Sequence, residues 1–271
     1  MIKKLNDVKE YLDFINEVNT DADFRDPMLC NESQIKSNLF DAVNKPNNHI
    51  FGVFEENVLI GLFVFLILED ECYIEMLVGL SKDKRAYDEM MSFLKTQYKG
   101  HQTDFVYNPN NYLLHKILQN HKAEFEAEQQ KMTLKNEIEY CSNHQVELYN
   151  PKYKEQYVAM HSTDGYWTAE KVIAATDRFR IILAIEKEEV VGYIDITHKF
   201  DENEPFDVFV KEEHRRKGYA KAMLTKAIEL NKPHDMMLLV DADNVAAIAL
   251  YESLGFAKAI GENNITAHVV L

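Results

Sequence analysis

The chain is predicted to belong to the α/β (α+β) class and to fold as two pseudo-equivalent tandem domains. Two observations predict this. Segments of helical and strand periodicity alternate along the whole length, and the second half repeats the first at a spacing of about 130 residues. Glu55-Glu56-Asn57-Val58-Leu59-Ile60-Gly61 parallels Glu186-Lys187-Glu188-Glu189-Val190-Val191-Gly192 at an offset of 131. Ile74-Glu75-Met76-Leu77-Val78 parallels Phe206-Asp207-Val208-Phe209-Val210 at 132, and Asn111 parallels Asn244 at 133. Two copies of this length are too few and too long for a solenoid, so domains are expected at 1–137 and 138–271. With 271 residues, 46% of them apolar and 28% charged, each half can bury a core of ordinary size.

In the first copy, Met1-Ile2-Lys3-Lys4 leads into an expected helix over about 7–19, opened by Asp7 with Glu10 three residues on. A second helix over 31–44, hairpin strands at 50–54 and 58–68, and a helix near 83–98 follow. The join, about 136–150, has no long Gly/Ser linker. In the second copy Val146 to Leu148 reads as a strand, and Pro151 suits the first position of a helix running to about His161. Thr168 is expected to cap a helix through about Thr176, before strands Ile181–Ile185 and Val190–Thr197. A strand from Phe206 to Val210 precedes a helix whose apolar stripe is Ala220, Met223, Leu224, Ala227 and Ile228. Beyond Pro233 come a strand, Met236 to Val240, and a short helix from about Asn244 to Leu254. Gly255 fits its left-handed cap and Phe256 the apolar contact after it.

The start of the helix after Val210 carries Arg215-Arg216-Lys217-Gly218-Tyr219-Ala220. A helix N-terminus is positive, so three cations there cost the isolated helix about 0.3–1 kcal/mol each unless an anion sits among them. Gly218 lets backbone approach a ligand, and the first free amides of the helix can point at phosphate oxygens.

With Asn244 and Tyr251-Glu252-Ser253-Leu254-Gly255-Phe256, this loop makes residues 146–256 resemble a GNAT-superfamily N-acetyltransferase. The resemblance implies, in each copy, a mixed, mostly antiparallel sheet flanked by helices. It further implies acetyl-CoA, or another short acyl-CoA, as cosubstrate, with no metal. Pantetheine would run along the strand at Val208, Phe209 and Val210, and the pyrophosphate would lie on the loop from Arg215 to Ala220, including Arg216, Lys217, Gly218 and Tyr219. Asn244 matches a residue near the pantetheine arm. Tyr251 matches the general acid toward the departing thiolate, and Asp207 a position where many members carry an acidic residue able to act as base. Ala220 stands where a second glycine is commoner. In the first copy, Ala86 and Asp88 replace Gly218 and Ala220, and Leu118 replaces Tyr251. That copy is therefore expected to keep the fold without the CoA site.

The connection Ser162-Thr163-Asp164-Gly165-Tyr166-Trp167 falls where such folds border the acceptor pocket. Asp164, Tyr166 and Trp167, with His161, offer a carboxylate and aromatic faces suited to an ammonium group. Freeing the lone pair of an alkyl amine at neutral pH costs roughly 4–5 kcal/mol, so a base or water relay is required. The formal charge of −15 argues against nucleic acid and anionic membranes and suits a cationic small-molecule or peptide amine. The longest apolar run, Val58 to Leu68, falls well short of the roughly 20 residues that span a bilayer. Three cysteines make neither a disulfide framework nor a zinc spacing, so a reducing cytoplasm is expected. A monomer or homodimer is expected. Two functions fit: an amine acyltransferase, or a non-catalytic acyl-CoA sensor that would not need Tyr251.

Overall fold

The computed structural model describes residues 1–136, 138, 140–161 and 167–271. The first half runs β1 (Ile2–Leu5), α1 (Leu12–Asn19), α2 (Glu32–Ile35), β2 (Asn48–Glu55), β3 (Val58–Leu68), β4 (Tyr73–Leu80), α3 (Lys84–Gln97), β5 (Gln102–Tyr107), α4 (Tyr112–Asn120), β6 (Glu124–Phe125) and β7 (Gln129–Leu134). The second runs β8 (Gln145–Leu148), α5 (Lys154–Met160), α6 (Ala169–Ala174), β9 (Phe179–Glu186), β10 (Glu189–Thr197), β11 (Glu202–Asn203), β12 (Pro205–Val210), α7 (Tyr219–Asn231), β13 (Asp235–Asp241), α8 (Val245–Glu252), β14 (Phe256–Lys258) and β15 (Ile265–Val270).

The tandem α/β arrangement expected from the repeat is present. Asn111 and Asn244 do the same job in the two copies: each side-chain oxygen accepts the amide three residues on and so caps α4 and α8 respectively. The short strand β1 was not foreseen, because four residues with two lysines carry too little pattern. Where one helix was expected over 7–19, a 3₁₀ turn at Lys9–Tyr11 precedes α1. Thr168 holds the N-cap position of α6, but its side chain makes no capping hydrogen bond.

The boundary expected at 137/138 is not where the chain divides. One compact unit comprises Met1–Gln130 with Ile260–Leu271, and the other Lys131–Ala259. The first unit holds a seven-stranded sheet in the order β1-β2-β3-β4-β5-β15-β6, so the last strand of the chain lies between β5 and β6. In the second unit β7 lies between β13 and β14 in a sheet ordered β11-β13-β7-β14, beside a second sheet ordered β12-β10-β9-β8. Each copy thus takes one interior strand from the other half of the sequence. The offset method could not see this, since it aligns segments in chain order.

Apolar alternation explains the cores. In the first unit Phe63, Phe65, Met76 and Phe105 pack against Tyr87, Met90, Met91 and Leu94 of α3. In the second, the predicted stripe of α7 is buried through Met223, Leu224 and Ala227 against Ile182, Ile194 and Leu238.

Candidate active site

Strand β12 is an edge strand. It pairs antiparallel with β10, Gly192 opposite Val210 and Ile194 opposite Val208, and its other edge pairs with no described strand. The parallel contact with β13 is confined to β11, at Glu202↔Asp235 and Asn203↔Met236. The backbone groups around Val208 and Val210 therefore face a wedge between β12 and β13, able to accept an extended amide-bearing ligand.

At the C-terminal end of that wedge, Gly218 sits at the N-cap of α7 with φ +94°, a conformation glycine adopts without steric cost. Having no side chain, it leaves the first amides of the helix open to an anion. A Cβ at Gly218 would lie 3.2 Å from both the Nε2 of His144 and the hydroxyl of Tyr140. The His144 ring lies tilted against Tyr219, ring centroids 4.1 Å apart, and its Nε2 donates to the carbonyl of Lys217 at 2.8 Å. Arg215 donates from Nε to the carbonyl of Val210 at 3.1 Å, tying the loop to the strand. The result is a cavity of about 230 Å³ against α8. Val210, Arg215, Arg216, Gly218, Tyr219 and Ala220 line it, whereas Val208, Phe209, Lys217, Asn244 and Tyr251 do not. The oxygen of Asn244 is engaged in capping α8, and Phe209 stacks on Tyr193 instead, with centroids 5.7 Å apart.

Tyr251 is buried on α8 beside Phe256. Burial first, and the charge of Asp207 second, push its hydroxyl above the ordinary tyrosine range, so it holds its proton at neutral pH. Asp207 accepts a hydrogen bond from the Tyr193 hydroxyl at 2.7 Å and lies 3.9 Å from His161 Nε2. Behind it, fully buried Asp195 accepts from His161 Nε2 at 2.9 Å and from the Tyr157 hydroxyl at 2.9 and 3.0 Å. Burial raises the pKa of Asp195 against the pull of those two donors. His161, Asp195 and Asp207 could together offer a metal ion three ligand atoms within 4.8 Å of one another. The bonds from His161 and Tyr157 already satisfy Asp195 as a proton network.

Asp164 and Tyr166 lie outside the described residues. Trp167 packs edge-on to Phe179 at 4.9 Å, and the guanidinium of Arg178 stands 5.0 Å from its ring, so a cation of the protein already lies over that indole. Sequence reasoning passed over Tyr157, Asp195, Tyr140 and His144. Two signals pointed to the first pair: a lone carboxylate inside the apolar run of β10, and a Tyr157/His161 spacing of one helical turn.

The corresponding place in the first unit is filled by the chain itself. Strands β4 and β5 pair in parallel from Tyr73↔Gln102 to Met76↔Phe105 and then part. Buried Asp26 there accepts the Gly79 amide at 2.7 Å and the Met28 amide at 2.8 Å. Asn108 fixes the same segment by donating to the carbonyls of Ala22 and Arg25. The N-terminus of α3 is closed by Asp83, whose carboxylate accepts the Arg85 amide at 2.9 Å.

Residues 144–256 match the family model described as the acetyltransferase (GNAT) family. The fold resembles a GCN5-related N-acetyltransferase from Sphaerobacter thermophilus, at 10% identity and TM-score 0.66 over 99% of this chain and 94% of that one. It also resembles a tandem GNAT protein from the clavulanic acid biosynthesis pathway, at 8% identity and TM-score 0.54 over 99% and 98% of the two chains. A GNAT-family acetyltransferase from Colwellia psychrerythraea aligns over the whole of both chains at 12% identity and TM-score 0.51. At these identities the likeness is one of fold. No curated protein matches the chain in sequence.

Proposed function

Because residues 144–256 form a domain of the GNAT acetyltransferase family, we propose that the protein transfers an acetyl or other short acyl group from CoA to the amine of a small molecule or peptide. The observation that carries this reading is the juxtaposition, in the second unit, of an open β12 edge, an uncapped helix N-terminus at Gly218 and the Asp207 carboxylate. Pantetheine would lie along Val208 and Val210, with the pyrophosphate on the amides after Gly218 and the cations Arg215, Arg216 and Lys217 around it.

In this mechanism Asp207 takes a proton from the acceptor ammonium, directly or through water. The free amine attacks the thioester carbonyl, and a β12 amide near Val208 or Val210 donates to the oxyanion. As the carbon–sulfur bond breaks, Tyr251 protonates the thiolate. The ammonium loses two protons in all, one ending on the CoA sulfur and one in solvent.

The test is CoA release by the full chain with acetyl-CoA and a panel of primary amines and peptide N-termini. At least one should be acetylated. Tyr251→Phe should lower kcat about 10–100-fold while leaving acetyl-CoA affinity within about twofold, since the hydroxyl acts when charge develops on sulfur. Acetyl-CoA binding with no acceptor turned over would favour a sensor.

A further inference from the structure

Asp195 and Asp207 are direct cross-strand partners on β10 and β12. Like charges placed opposite one another destabilise an antiparallel pair, and burial of Asp195 makes the repulsion less screened. Each carboxylate has a tyrosine hydroxyl donating to it, Tyr157 to Asp195 and Tyr193 to Asp207. A neutral hydroxyl does not cancel a second charge. His161, at the end of α5, brings Nε2 to 2.9 Å from Asp195 and 3.9 Å from Asp207, with its ring stacked on Tyr193 at 5.2 Å and an angle of 13°. Its side chain is only 5% exposed.

Resting on the acyl-transfer reading, we propose that His161 is a positioning residue, held as an imidazolium between Asp195 and Asp207, that offsets the repulsion between the two carboxylates and fixes Asp207 where it can take the acceptor's proton. Counted over the described residues, the charge balance is then one cation between two anions, a net negative charge toward an incoming ammonium. Among the described residues, the titratable groups facing His161 are Tyr157 on its own helix, Tyr193 and Asp195 on β10, and Asp207 on β12. Tyr251 on α8 feels the charge of Asp207. Asp195 acts through His161 and does not meet the acceptor.

Two measurements on the full chain test this. Imidazole proton NMR, with His161→Gln identifying the resonance, should show His161 titrating at least about one pH unit above the ordinary value near 6.5, and Asp195→Asn should bring it down. A wild-type imidazole that titrates at or below that value overturns the proposal. With acetyl-CoA and whichever primary amine supports CoA release, wild type should exceed His161→Gln in kcat/KM by about tenfold below the pH at which the imidazole titrates in the NMR measurement, and the gap should close above it, with acetyl-CoA affinity unchanged. A uniform loss at every pH, or no difference at any pH, also overturns it. If no amine is acetylated the acyl-transfer reading fails, while the NMR titration, which needs no turnover, still decides the charge on His161.

Discussion

A single buried carboxylate, Asp26, marks one difference between the two copies. Asp26 has two backbone amides as partners and, among the described residues, no cation. Burial outweighs those bonds and pushes its pKa up to about 7. A folded-state pKa raised above the unfolded value means the folded chain holds the proton more tightly. The contribution is therefore complete below about pH 4 and is lost as pH rises to about 7. Asp26→Asn should abolish that part of the pH dependence, which amounts to at most about 4 kcal/mol. Urea denaturation across pH 4.5–7.5 would read it as a gap between wild type and variant that changes with pH; parallel curves would contradict it.

At the scale of elements, the contrast lies between two helix N-termini. Asp83 closes α3 with its own carboxylate, whereas Gly218 leaves α7 open and surrounds it with Arg215, Arg216 and Lys217. Gly218→Asp would place a carboxylate among those amides, in a backbone conformation that side chains rarely adopt and 3.2 Å from His144 and Tyr140. Calorimetry should give one acetyl-CoA site per wild-type chain and none for this variant. Two sites, or a variant that still binds, would refute the assignment. Most of these elements were legible from periodicity and punctuation: β3, α3, β10, β12 and α7 fall close to where the sequence put them, and Gly255 takes the expected left-handed cap at φ +94°. The open start of α7 was legible because glycine and three cations break local rules together. Of the polar cluster only His161 was picked out, with the connection after it; Tyr157 and Asp195 were passed over because they come from two elements and meet only in the fold. Asp26 was invisible for the same reason: its importance comes from Gly79, far along the chain.

For the whole molecule, the routing of β7 and β15 decides which pieces of chain can stand alone. A fragment of residues 138–271 would carry α7 and the loop before it but lack β7, leaving β13 and β14 without the strand between them, and it would carry β15 without β5 or β6. Unpaired strand edges of that kind aggregate. The fragment is expected to be insoluble, while residues 131–259, which form a compact unit, should be soluble and bind acetyl-CoA. Expression of both, followed by far-UV circular dichroism and calorimetry, separates the cases. A well-folded 138–271 fragment would show that β7 is dispensable.

The same routing sets a timetable for synthesis. On the ribosome, β5 must wait for β15, and β7 for β13 and β14, each more than a hundred residues downstream. At about 5–20 residues per second these are delays of roughly 5–30 s during which an interior strand position stands vacant. Neither half can complete its sheet in the usual N-to-C succession, so an interior strand position in each stays open until its partner from the other half of the sequence has emerged.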